Sequence, residues 1–185
     1  NKVVNGPDLS FDSQVPSLAH LDLYGHGTHM AGIIAGRDEG ASVDAFGQTD
    51  QFLGVAPGAR IVNVKVADAT GAVDVSQVIA AIDWVVQHRN DNGLNIRVLN
   101  LSLNAAPRSF YWEDPLNQAV MRAWQAGIVV VASAGNTGPD PMTVGVPANL
   151  PYIISVGAMT DNYTPADSTD DFLSSFSCVG PTVEG

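Results

Sequence analysis

Cysteine is nearly absent from this chain and positive charge is scarce. Cys178 is the single cysteine, so no disulfide can close within the chain. One cysteine leaves the redox compartment open, and Cys178 itself is expected to be a small buried residue rather than a reactive thiol. Eight Lys and Arg stand against nineteen Asp and Glu, a formal net charge of −11. Such a surface repels a phosphate backbone, which argues against nucleic acid as a partner. No apolar run approaches the roughly 20 residues a bilayer-spanning helix requires, so no membrane partner is expected either. The longest run, Gly127 to Ala134, has the length of a strand. A methionine is missing at position 1, and no basic stretch leads into an apolar one there. Both ends are therefore expected to be cut from something longer.

What is present favours a packed fold. Hydrophobic residues make up 45% of the 185 and charged residues only 15%, which suits one domain with a substantial core and not a disordered chain. The middle of the chain alternates strand and helix patterns. Val62, Val64 and Val66 alternate within a run from Ala59 to Val66 that reads as a strand. Asp74 then offers a helix cap with Gln77 three residues on, and Val75, Val78, Ile79, Ile82, Val85 and Val86 follow at helical spacing. Ile96 to Leu101 reads as the next strand. Asp114, Pro115 and Gly127 punctuate a helix with Leu116, Ala119, Val120 and Ala123 on one face. Ile128 to Ala132 and Tyr152 to Val156 read as further strands. This order predicts right-handed crossovers and an α/β fold: a parallel sheet between helical layers, with its sites at the carboxyl ends of strands. Arg37 to Gln51 and Thr160 to Asp171 are polar loops.

Two stretches carry chemistry. In Gly25-His26-Gly27-Thr28-His29-Met30-Ala31-Gly32 a histidine opens a small-residue helix, flanked by glycines that let other backbones approach its ring. An imidazole there can act as a general base near neutral pH. Zinc is disfavoured, because a zinc helix needs histidines four apart with a glutamate between, and these are three apart. A dinucleotide loop is disfavoured too, because Met30 stands where the third glycine belongs. A histidine merely packed in the core suits His29 better than His26. The second stretch is Val129-Val130-Val131-Ala132-Ser133-Ala134-Gly135-Asn136, a buried strand ending in small residues and an amide. Asn136 reads either as a turn residue before Thr137-Gly138-Pro139 or as a donor to an oxyanion.

The run from Asp22 to Gly32 resembles the histidine motif of the subtilisin-like serine proteases, the subtilases, in which the first histidine, here His26, is the catalytic base and the second is structural. Leu53-Gly54-Val55-Ala56-Pro57, Val98 to Leu103, the Gly135-Asn136 motif, Val144 to Pro147 and Ser174 to Ser177 are similar to further stretches of that family. Pro147 resembles a position preceded by a cis peptide. The resemblance implies a three-layer sheet with helices on both faces, incomplete at both ends of this chain. It also implies a secreted, monomeric endopeptidase acting on extended peptides. Asn136 would stabilise the oxyanion. Ser102, Leu103 and Asn104 would pair with the substrate backbone near Ser133, Ala134 and Gly135, and Ala72 and Val73 beside Gly71 would form the opposite edge. Asn104 stands where the family often has glycine, which implies a narrower or more polar pocket.

The same resemblance sets out what is missing. The family's nucleophile lies in a Gly-Thr-Ser unit, and the only Gly-Thr pair here is Gly27-Thr28. Its aspartate closes an apolar strand before Ser/Thr-Gly. Asp8, Asp12 and Asp22 lack the glycine, and none is expected to follow a β-run. The 185 residues are thus expected to be an inactive part of a peptidase domain lacking the aspartate strand and the serine helix. The alternatives are a peptide-binding pseudoprotease and a nucleotide-binding α/β domain. No cofactor is implied for catalysis. Structural calcium is common in the family, but Asp38, Glu39, Asp44 and Asp50 match no calcium loop and are expected to be solvated.

Overall fold

The computed structural model describes residues 2–44 and 50–185; residues 45–49 of the polar loop from Arg37 to Gln51 lie outside that description. The chain separates into two compact units, one ending at Ala81 and one beginning at Ile82.

The first unit contains β1 (Val3–Asp8), α1 (His26–Ala35), β2 (Ile61–Lys65) and the start of α2 (Val75–His88). β1 and β2 pair in parallel, Val3 with Ile61 through Asn5 with Asn63, and the register then shifts before Asp8 meets Lys65. β1 corrects the expectation that no aspartate follows a β-run, because Asp8 closes a strand. Gly6 and Pro7 hid it, since both are depleted in strands. The irregular register falls between Asn5 and Asp8, where this edge strand can tolerate a proline.

The last carbonyls of α1 have no partners within the helix and would cost free energy if left unmet. The 54–56 segment meets them: Val55 N–H donates to Ile33 O at 2.9 Å and Ala56 N–H to Ile34 O at 2.7 Å. A side chain at Gly54 would sit only 2.7–2.9 Å from the α1 backbone at Gly32, Ile33 and Ala35, so this crossing requires glycine. At the start of α2 the Gln77 side chain returns to Asp74 N–H at 2.9 Å, half of the expected capping box. The Asp74 carboxylate binds Ser76 N–H, at 2.7 Å, instead of the amide of residue 77. Val78, Ala81, Ile82 and Val85 are the buried face of α2.

The second unit holds β3 (Val98–Leu101), α3 (Pro115–Gln125), β4 (Val129–Ser133) and β5 (Ile154–Val156), with a short antiparallel ribbon of β6 (Met159–Thr160) and β7 (Phe172–Leu173). β3, β4 and β5 form one parallel sheet, in register from Val98 opposite Val129 to Ser133 opposite Val156. α3 begins as expected: the Asp114 carboxylate accepts from Leu116 N–H and Asn117 N–H at 2.9 and 3.0 Å, and Pro115 occupies the first turn. Gly127 takes φ +83° just past its end. Leu116, Ala119, Val120 and Ala123 are fully buried together with Val130 and Ala132 of β4. β4 alternates although its residues are mostly apolar, since Val129 is 48% exposed while Val130 is 1% exposed. The peptide bond before Pro147 is cis. A buried polar chain crosses the unit: Asn117 donates to Asn149 at 3.0 Å, Asn149 reaches Glu184 at 3.3 Å, and Glu184 accepts Tyr111 N–H at 2.8 Å.

Candidate active site

His26 occupies the first helical position of α1, after Gly25, whose φ of +89° turns the chain into the helix. Asp22 organises this entry, a role that sequence reasoning missed. One carboxylate oxygen accepts Gly25 N–H at 2.7 Å; the other accepts Thr28 N–H at 2.7 Å and the Thr28 hydroxyl at 2.8 Å. These bonds satisfy a first-turn amide that the helix itself cannot. Burial pushes the Asp22 carboxyl up, but the donors from Thr28 and Gly25 outweigh it and hold the carboxyl below its ordinary value. The backbone around His26 is therefore pinned, while the residue stays exposed. His29 is also exposed, which corrects the expectation of a histidine packed in the core. A cap signal was available in the sequence, an aspartate shortly upstream of a glycine-histidine helix start.

The 68–73 turn lies in the same unit. The Asp68 carboxylate accepts Thr70 N–H at 2.8 Å and Ala72 N–H at 3.0 Å, and Asp68 N–H donates to Ala72 O at 2.9 Å. A side chain at Gly71 would collide with the Tyr24 ring at 2.9 Å, so Tyr24 of the histidine segment lies directly over this turn. Ala72 and Val73 are exposed. The structure thus brings the histidine motif and one expected peptide-binding edge together.

Asp8 accepts Ser10 N–H at 2.9 Å, the Ser10 hydroxyl at 2.6 Å and His20 N–H at 2.8 Å. Asp12 binds Lys65 at 2.8 Å, and Asp8 lies 3.8 Å from the same ammonium.

In the second unit Asn136 follows directly from the carboxyl end of β4. Ser133 is half-buried, Ala134 and Gly135 are buried and Asn136 is exposed. Ala134 N–H continues the sheet by donating to Val156 O at 2.9 Å. The loop beyond is tied to the 176–178 segment: Gly138 N–H to Phe176 O at 2.9 Å, and Cys178 N–H to Gly135 O at 3.1 Å. Cys178 is 5% exposed, as expected, and its sulfur accepts Thr137 N–H at 3.4 Å and contacts the Thr137 hydroxyl at 3.3 Å. Burial raises the Cys178 thiol, but these Thr137 bonds outweigh it and leave the thiol below its ordinary value. A cavity of about 260 Å³ opens at the carboxyl ends of the strands, bounded by Asn100, Ser102, Ser133, Gly135, Asn136 and Gly157. Ligands of open α/β sheets bind at such strand ends.

Ser102 and Leu103 are half-buried and Asn104 is exposed. The chain then pairs back through Ala105, which exchanges hydrogen bonds of 2.9 and 2.8 Å with Val146. Gly145, which sequence reasoning did not single out, donates to Ala134 O at 3.0 Å and so joins the ends of β3 and β4.

Among the described residues no group of three or more His, Cys, Asp and Glu is arranged to hold a metal ion. The loop carboxylates are engaged locally: Asp38 accepts Phe52 N–H at 2.8 Å, Asp167 accepts Thr169 N–H at 3.0 Å, and Asp170 accepts the Thr164 hydroxyl at 2.8 Å. No helix among the described residues is long and apolar enough to cross a membrane.

Residues 11–185 match the family model of the subtilase family of peptidases. The chain is 42% identical over 164 residues to serine protease AprX of Bacillus subtilis (strain 168), covering 87% of this chain and 35% of the relative. It is 38% identical to subtilisin DY of Bacillus licheniformis over 89% of this chain and 51% of the relative. Among solved structures, a cold adapted subtilisin-like serine proteinase aligns with a TM-score of 0.67 at 29% identity, over 98% of this chain and 55% of that one. The chain belongs to the subtilase family. It spans about a third to a half of the curated relatives it matches.

Proposed function

We propose that the whole protein is a serine endopeptidase, with His26 as its general base and Asn136 as an oxyanion donor. In this reaction His26 takes the proton of a serine hydroxyl as that oxygen attacks a peptide carbonyl. The imidazolium then gives the proton to the leaving amine. The Asn136 amide donates to the carbonyl oxygen as negative charge gathers there. Ser102, Leu103 and Asn104 bind the substrate as an added strand, next to Ser133, Ala134 and Gly135. The exposed Ala72 and Val73 are a second peptide-binding edge. The same reading makes the protein a secreted monomer that needs no catalytic cofactor.

The observation that carries this reading is the exposed His26 held on a backbone that Asp22 pins, in a chain of this family. A base must be positioned yet reachable, and this arrangement supplies both. The 185 residues contain no Gly-Thr-Ser, and none of Asp8, Asp12 and Asp22 is followed by Ser/Thr-Gly. We therefore propose that this stretch alone is inactive, the serine and the aspartate lying elsewhere in the protein.

A serine-directed fluorophosphonate tests both halves. The full-length protein should take up one label, and residues 1–185 alone should take up none. A stoichiometric adduct on the isolated stretch would refute its inactivity. A folded full-length protein that binds peptides but never labels would instead be a peptide-binding relative without the nucleophile.

A further inference from the structure

We propose that Asn104 closes down the pocket for the substrate side chain on the acyl side of the scissile bond, so that the enzyme selects peptides with a small residue there. The inference rests on the protease reading above and on the 102–104 edge as the substrate edge. Its observations are independent of both.

β3 and β4 pair as far as Leu101 opposite Ala132. Beyond that point the two segments bond to a third one. Ala134 O accepts Gly145 N–H at 3.0 Å, and Ala105 pairs with Val146. On this reading the slot for the substrate side chain lies between 102–104 and 133–135, bordered by Gly135 and Gly145, and a glycine surface ordinarily leaves room for a side chain to enter.

Here that room is taken. A β-carbon at Gly135 would lie 2.2 Å from the Asn104 amide nitrogen and 3.2 Å from its Cγ. One at Gly145 would lie 2.9 Å from the same nitrogen and 3.3 Å from Asn104 Cβ. The Asn104 carboxamide therefore lies against both glycines at once and spans the slot. Asn104 as a whole is exposed, so this is the mouth of the slot and not its core.

A strand added along Ser102–Asn104 points alternate side chains to opposite faces, and one of them must enter this slot. An alanine-sized group shares the space with the carboxamide. A phenyl or isobutyl group must push the amide out, losing contacts without any gain in hydrogen bonding. Differences of one methylene in a fitted apolar pocket are worth roughly 10–200-fold in kcat/KM, which sets the scale.

The test uses the full-length protease and tetrapeptide anilides that differ only in the residue before the scissile bond: Ala, Leu or Phe. Wild type should hydrolyse the Ala substrate with the highest kcat/KM. Asn104→Gly should raise the Phe-to-Ala ratio by roughly tenfold or more. Asn104→Ala, which keeps a β-carbon and so guards against a loosened loop, should move the ratio in the same direction. A wild type that prefers Phe, or a ratio unchanged in both variants, overturns the assignment while leaving the protease reading intact. A folded protein that cleaves none of the three and takes up no fluorophosphonate sinks the protease reading, and the pocket with it.

Discussion

The unit ending at Ala81 and the unit beginning at Ile82 bury different chemistry. In the first, Lys65, Asp8 and Asp12 have side chains only 9%, 3% and 11% exposed, and the buried apolar residues are Ala35, Ala41, Val78 and Ala81. In the second, Leu101, Leu116, Val120, Ile128, Val130 and Val146 form a larger apolar interior, and the polar side chains enclosed with it, Asn117, Asn149 and Ser177, are uncharged. Polar clusters fix direction, because each hydrogen bond and ion pair has one geometry, but they depend on pH. Apolar packing is indifferent to pH and follows shape and area. The histidine is thus carried by the unit with the buried ion cluster, and the amide by the unit with the larger apolar interior.

The largest expected effects test whether each unit supplies its assigned group. His26→Ala in the full-length protein should lower kcat by roughly 10⁶, the scale known for the base in subtilisin, a member of this family, and not a figure obtained from this structure. Asn136→Ala should lower kcat by roughly 10²–10³, again a subtilisin value, with KM little changed. Steady-state kinetics on variants with unaltered circular dichroism check both. Equal losses for the two would mean that the roles are wrongly divided.

Next come the two interiors. Leu116→Ala should cost about 2–5 kcal/mol through lost contacts and a cavity under α3. Lys65→Met should cost about 3 kcal/mol by leaving two buried carboxylates without their cation. Denaturant titrations at pH 7 and pH 3 separate the mechanisms. The Lys65→Met deficit should shrink at pH 3 as Asp8 takes up a proton, and the Leu116→Ala deficit should not. If both deficits shrink equally, the contrast between the units is wrong.

The smallest effect is the response to mild acid. Burial raises Asp8, but the Ser10 and His20 donors, with Lys65 nearby, bring it below its ordinary value, and Asp22 behaves alike. A carboxyl depressed in the folded state contributes stability above its unfolded pKa and loses it as pH falls through the folded value. With unfolded carboxyls near 4, that loss begins below about pH 4. Glu184 is depressed too, with burial again opposing and hydrogen bonds from Thr182 and Tyr111 prevailing. The first unit rests more heavily on such groups. Hydrogen exchange at pH 3 should therefore open the amides of Ser10, His20, Gly25 and Thr28 before those of β4. The reverse order would overturn the comparison.

Much of the local structure was legible. α3 could be placed from Asp114, Pro115 and Gly127 because caps act over three or four residues. The His26 and Gly135-Asn136 motifs stood out for the same reason: their chemistry is written in adjacent residues. β1 was not legible, since Gly6-Pro7 argues against a strand and only pairing with β2 makes one. Nor was the exposure of His29, which depends on what packs over α1. Cys178 was expected to be buried, but nothing in Ser177-Cys178-Val179 says that its sulfur meets Thr137, 41 residues away.

By itself the sequence determined the alternation of strand and helix, the ends of the punctuated helices, the net acidity and the two motifs, because each depends on neighbours a few bonds apart. Tertiary structure alone decided that Lys65 stands between Asp8 and Asp12, that Tyr24 covers Gly71, and that Asn104 lies across Gly135 and Gly145. Those contacts join residues up to 57 positions apart in the chain. They exist only after loops have closed and surfaces have packed, and a single sequence does not display which closures win.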